Sequence, residues 1–251
     1  MGGSLSFIYS ATAMGMRRYT QIGKKIIGVA SNYHGHIKEM GSKVPSEPVF
    51  FLKPTSSYVV EPNPIRLPEG HTVHHERTSP SYSWLPSLLL CIVVELGVVI
   101  GKPGANIKLE DAPCHVAGYA VALDLTARDI QSAAKAAGQP WTISKGFDTF
   151  CPVSTYIPST AIPDPHQQQI WLRVNGELRQ HTCTSDMIFN IYELLARISQ
   201  VMRLEPGDFI LTGTPAGVGE LKVGDTVLAG MGHDYIKMRY KCVPKPLVLK
   251  K

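Results

Sequence analysis

Apolar positions along this chain fall mostly in short runs bounded by Gly, Pro, Asn and Asp, and few of them repeat at helical spacing. Lys24 to Val29 and Val49 to Leu52 read as strands, the second stopped by Lys53-Pro54, and His34 to Met40 reads as one or two helical turns that Gly41 can end. Pro62, Pro64 and Pro68 exclude a regular helix from Glu61 to Gly70. Leu88 to Ile100 is almost continuously apolar, but its 13 residues enclose Glu95 and Gly97 and fall short of the roughly 18–20 that span a bilayer, so the run predicts a buried strand. Tyr119 to Leu125 reads as a strand, and Ala127 to Ala137 as a helix that Gly138 caps before Pro140. Ile170 to Val174 and Glu177 to His181 flank Asn175-Gly176, a hairpin signal. Asn190 caps a helix whose Ile191, Leu194, Leu195, Ile198, Val201 and Met202 share a core-facing stripe. Phe209 to Leu211, Thr226 to Leu228 and Tyr235 to Lys241 complete the strands. Many short strands with few helices predict a β-rich α+β fold.

Composition narrows the classes. A chain of 251 residues with 44% hydrophobic content can bury one sizeable core. The first 38 residues hold five Lys/Arg and the last 17 hold six, with no acid in either, so the body carries all 20 acids against 14 of the 25 basic residues. That body is not a nucleic-acid surface, which needs clustered Lys and Arg on the fold. Five cysteines without C-x-x-C spacing point to a reducing compartment. The acid-free stretch Met1 to Lys25 is compatible with a mitochondrial transit peptide or a disordered leader over residues 1–21, and residues 243–251 read as a basic tail.

Two acids sit where acids are costly: Glu95 inside Val-Val-Glu-Leu-Gly-Val-Val-Ile, and Asp124 inside Val-Ala-Leu-Asp-Leu. Each needs a partner, either a basic side chain such as Arg128 or Lys145 or a hard divalent cation, magnesium or manganese in type. His36 and Glu39, three apart, meet on one helix face, and a carboxylate that orients one imidazole nitrogen makes the other a better base. Thr212-Gly213-Thr214-Pro215-Ala216-Gly217-Val218-Gly219 follows a strand and lacks the Gly-Lys-Ser/Thr of a phosphate loop. It is either a tight turn or a place where backbone approaches a ligand.

Taken together, Ser31-Asn32-Tyr33-His34-Gly35-His36-Ile37-Lys38-Glu39-Met40, Phe51-Leu52-Lys53-Pro54, His74-His75-Glu76, Val94-Glu95-Leu96-Gly97, Ala122-Leu123-Asp124-Leu125-Thr126-Ala127-Arg128-Asp129 and the Thr212–Gly219 segment resemble the fumarylacetoacetate hydrolase superfamily, in its small acylpyruvase branch. The resemblance covers residues 22–242 as one catalytic domain, with 22–70 as a small N-terminal subdomain. It implies the rolled mixed-sheet core of the family's C-terminal domain and a homodimer, while the short apolar run, the leader and the cysteines lead to the expectation of no membrane segment and a location in the mitochondrial matrix or cytosol.

The resemblance also implies roles. Glu76, Glu95 and Asp124 would hold magnesium or manganese, and His36 with Glu39 would activate water. Lys145 would stabilise oxyanion charge, while Lys53, Arg128, Gln131 and Thr214 would contact a 2-oxo or 2,4-dioxo acid. The implied reaction is hydrolysis of an acylpyruvate to pyruvate and a carboxylate, with oxaloacetate tautomerisation or decarboxylation on the same enolate chemistry as the alternative. One departure falls on the metal motif: Arg77 to Val93 separates Glu76 from the Val-Glu-Leu-Gly that follows it in the family pattern. It reads as an insertion of the kind a variant transcript or retained intron carries, and a catalytically silent product is the third alternative.

Overall fold

The computed structural model describes residues 16–68, 89–232 and 236–246. Among them the strands in chain order are β1 (Ile26–Ala30), β2 (Val49–Lys53), β3 (Tyr58–Val59), β4 (Ile65–Leu67), β5 (Leu90–Ile100), β6 (Val116–Ala127), β7 (Cys151–Pro152), β8 (Ile157–Pro158), β9 (Gln169–Val174), β10 (Glu177–Cys183), β11 (Phe209–Leu211), β12 (Gly219–Glu220), β13 (Thr226–Met231) and β14 (Ile236–Pro244). The larger sheet runs β2-β1-β11-β5-β6-β8 with β12 also paired to β5, the smaller runs β10-β9-β13-β14-β4, and β3 pairs with β7. Parallel pairs (β1/β11, β4/β14, β3/β7) sit among antiparallel ones, so the α+β, mixed-sheet fold expected from the sequence is the one observed. The segment expected as an N-terminal subdomain gives β1 and β2 to the larger sheet and β4 to the smaller.

β5 and β6 form the spine. Every residue of β5 is buried, as is β6 from Gly118 on, because both faces of this pair are covered; that is why they read as nearly unbroken apolar runs. One face packs Val94, Leu96, Leu123 and Leu125 into a large core with Leu172 of β9 and Val227 of β13. The other packs Val99, Ala120 and Ala122 with Tyr19, Cys151 and Phe209. Glu95 and Asp124 belong to this second face by strand alternation.

The predicted hairpin is present: Asn175 and Gly176 adopt φ of 53° and 87°, which suits a two-residue turn joining β9 to β10. The helix Ile191–Val201 begins with a full capping box, Asn190 accepting from the Tyr192 and Glu193 amides while Glu193 accepts from the Asn190 N–H. Ile191, Leu194, Leu195 and Ile198 are buried on it as expected, but Val201 is 72% exposed, because it ends the helix after the stripe has turned away from the core. No helix among the described residues is long and apolar enough to cross a membrane.

Candidate active site

Of the segment expected as an insertion, the described residues 89–93 lead into and open the spine. Leu90–Val93 form the first four residues of β5 and pair with Ala127–Asp124 of β6 on one side, while Cys91 and Ile92 pair with Glu220 and Gly219 of β12 on the other. Further backbone bonds run from Arg128 N–H to Leu89 O (2.7 Å) and from Leu221 N–H to Leu90 O (2.9 Å). Val93 therefore stands directly opposite Asp124, with Glu95 two residues on and facing the same side. Glu76, His74, His75 and residues 77–88 lie outside the described residues.

Asp124 does not pair with Arg128. Lys53 Nζ donates to its Oδ1 at 2.7 Å and Lys145 Nζ donates to its Oδ2, a buried triad reached from β2 and from the short helix Thr142–Lys145. Lys53 also donates to Leu125 O at 3.1 Å, and Lys145 lies 4.4 Å from the centre of the Phe51 ring. Burial pushes the Asp124 carboxyl up, but the two ammonium groups outweigh it and hold the group below the usual carboxylate range. Burial likewise lowers the Lys145 ammonium, against the pull of Asp124.

Glu95 has weaker support. Its Oε2 accepts the Gly213 N–H at 2.6 Å, and burial together with the negative Asp124 pushes it up to about 8 despite Lys145 and that amide.

His36 and Glu39 meet as predicted, Nδ1 to Oε2 at 3.3 Å, on the helix His34–Glu39. Burial lowers the His36 pKa, Glu39 opposes this, and the positive charges of Arg128 and Lys145 add to the lowering. The lowered pKa favours the neutral, basic ring at pH 7. Arg128 Nη1 donates to Gln131 Oε1 at 2.7 Å, so these two polar residues already pair. Thr214 sits beside the spine, but its hydroxyl donates to Val94 O (3.0 Å) and accepts from Gln180 Nε2 (3.1 Å), so it must leave Val94 to donate to a ligand.

Residues outside the expected catalytic and binding set do the positioning. The Thr212–Gly219 loop brings its amides to carboxylates: Gly213 to Glu95, and Gly217 to Glu39 Oε1 at 3.0 Å. Both glycines have positive φ, 95° and 97°, and a Cβ would meet Asn32 Cβ at 2.7 Å at Gly213 and Arg179 O at 2.1 Å at Gly217. Gln180, 1% exposed on β10, accepts from Val94 N–H and donates to Thr214, Pro215 and Ala216, fixing that loop on β5. Asn32 ties the loop before the His36 helix to Phe189 and Thr212, and Asp186 Oδ2 accepts the Gly35 N–H at 3.2 Å. The only sequence signal for Gln180 is a polar residue on an inward strand position.

Two surface cavities border neighbouring parts of the fold. One of about 590 Å³ is bordered by Ile107, Leu109 and Arg197, and one of about 640 Å³ lies against Leu52, Ile143 and Phe147 and includes Lys53 in its lining.

Of the three expected metal ligands, Glu95 and Asp124 share one face of the spine, and Glu76 lies outside the described residues. No group of three His, Cys, Asp or Glu side chains comes together among them. Both Asp124 oxygens already face ammonium groups, and one Glu95 oxygen is taken by an amide.

The model for "Fumarylacetoacetate (FAA) hydrolase C-terminal" matches residues 25–238. A Dictyostelium discoideum protein named "Oxaloacetate decarboxylase, mitochondrial" is 46% identical over 218 residues, covering 86% of this chain and 92% of its own. The Mus musculus "Oxaloacetate tautomerase FAHD1, mitochondrial" is 45% identical over 232 residues, covering 92% and 97%. Among solved structures, fumarylpyruvate hydrolase from Pseudomonas aeruginosa, in complex with Mn2+ and pyruvate, aligns with TM-score 0.75 at 32% identity over 89% of this chain and 91% of that one. This chain belongs to the fumarylacetoacetate hydrolase family of enzymes.

Proposed function

We propose that this chain interconverts the enol and keto forms of oxaloacetate, the alternative drawn from the sequence, ahead of acylpyruvate hydrolysis. The observation that carries it is the His36–Glu39 pair, whose imidazole is biased toward its neutral, basic form by burial and by the charges of Arg128 and Lys145. Tautomerisation asks only for a proton moved between carbon and oxygen and for stabilisation of the enolate between. His36 removes a proton from C3 of the keto form, the C–H electron pair becomes the C2–C3 double bond, and the carbonyl π pair moves onto the C2 oxygen. Proton return to that oxygen gives the enol, and the reverse order gives the keto form. Lys53 and Lys145 supply positive charge for the enolate in a buried setting where it is worth more than in water. Arg128 suits a substrate carboxylate once it leaves Gln131.

The relatives support the same substrate by name, as tautomerase and as decarboxylase. Loss of carbon dioxide from oxaloacetate leaves pyruvate enolate, so decarboxylation is the second reading. Hydrolysis of an acylpyruvate further requires water placed on a carbonyl and cleavage of a carbon–carbon bond. The relatives are named mitochondrial, which supports a mitochondrial matrix location, and the homodimer implied by the sequence is part of this reading. Exchange of the C3 hydrogens of oxaloacetate in deuterated water, followed by NMR, tests the proposal: enzyme-dependent exchange without pyruvate release supports tautomerisation, and pyruvate release at the exchange rate replaces it with decarboxylation.

A further inference from the structure

We infer that Val93 sets the metal affinity of this chain: it fills the strand position beside both Glu95 and Asp124, and the site so formed, with Lys53 and Lys145 both on Asp124, holds a divalent cation only weakly. Directly opposed side chains on an antiparallel pair have Cβ atoms about 4.5–5.5 Å apart, and diagonal ones remain within reach. Val93 opposes Asp124, and Glu95 is its neighbour on the same face, so among the described residues the one at 93 decides whether two or three carboxylates converge there. It is an aliphatic side chain, 5% exposed.

The register that places it is fixed on both edges. Leu90–Val93 are bonded into β6, Cys91 and Ile92 into β12, and the next amide, Val94 N–H, donates to Gln180 Oε1 at 2.7 Å. A one-residue slip would turn Leu90, Ile92 and Val94 out of the main core, and a two-residue slip would move Glu95 away from the Gly213 amide. Backbone already paired in this way leaves the position opposite Asp124 to Val93 alone.

Charge points the same way. Both ammonium groups face the one carboxylate of Asp124, which does not balance them, and a divalent cation would bring two further uncompensated charges into this buried cluster. A third carboxylate at 93 would remove one of them and give the cation a ligand that neither lysine occupies.

The test uses the full chain and measures binding, independently of the proposed activity. Free Mn2+ is followed by electron paramagnetic resonance for the wild-type protein, for Val93→Glu, and for Val93→Glu combined with Asp124→Asn. The expected result is millimolar or weaker binding by wild type, at least about tenfold tighter binding by Val93→Glu, and loss of that gain in the double variant. Micromolar binding by wild type, or a folded Val93→Glu with no gain, overturns the inference. If Val93→Glu does not fold by circular dichroism, the wild-type isotherm decides: weak binding upholds the inference and tight binding overturns it.

Discussion

The backbone N–H of Gly217 donates to Glu39 Oε1 at 3.0 Å, and the other oxygen of the same carboxylate meets His36 Nδ1 at 3.3 Å. The orientation of the base thus depends on a loop 178 residues away in sequence. At Gly217, with φ of 97° and Arg179 O only 2.1 Å from a would-be Cβ, Ala must shift the backbone. Gly217→Ala should lose at least about 1–2 kcal/mol from backbone conformation alone, lowering Tm by about 2–4 °C per kcal/mol. Because the loop also holds Glu39, kcat for the oxaloacetate reaction should fall as well. Thermal unfolding and kinetics on the same preparation check this; an unchanged kcat would show that the amide does not position the dyad.

The depressed pKa of His36 fixes the sign of the acid limb. Catalysis needs the neutral ring, so kcat/KM should fall as pH drops through a value below the ordinary histidine range near 6.5. Glu39 raises that pKa, so Glu39→Gln should move the limb to still lower pH while reducing kcat in part. A limb that moves upward in Glu39→Gln would contradict the assignment.

Asp124 and Glu95 should act oppositely on stability. The folded pKa of Asp124 is depressed, so its contribution is present above the ordinary carboxylate range and lost as pH falls through the folded value. Asp124→Asn leaves Lys53 and Lys145 without their buried counter-charge and should cost about 3–5 kcal/mol at neutral pH.

Glu95 titrates at about 8 when folded, well above its unfolded value, so its contribution is complete at low pH and declines from about pH 4.5 through 8. Glu95→Gln, which retains an acceptor for Gly213, should remove that decline. Denaturant unfolding at several pH values measures both effects.

Much of the architecture is legible in the sequence for local reasons. Unbroken apolar runs mark β5 and β6 because both faces of the spine are covered, and Asn175-Gly176 and the Asn190/Glu193 pair carry their own turn and cap chemistry. The two-residue strands β3, β7, β8 and β12 have no local signature, since pairing with distant partners alone defines them. The same holds in the site. His36 and Glu39 are three apart and readable, whereas Lys53 and Asp124 are 71 apart and Gln180 and Thr214 are 34 apart, so only the sheet order brings them together. The loop glycines were readable as close-approach positions, but the groups they approach are Glu95 and Glu39.

The central claim is that His36 is the base of an oxaloacetate tautomerase, and the loss of enol absorbance on mixing enol-oxaloacetate with enzyme tests it most directly. Wild type should speed ketonisation well beyond the buffer rate, and a folded His36→Ala should lose about 10²–10⁴-fold of that acceleration. Ketonisation by His36→Ala at the wild-type rate, or by wild type at the buffer rate, would contradict the account.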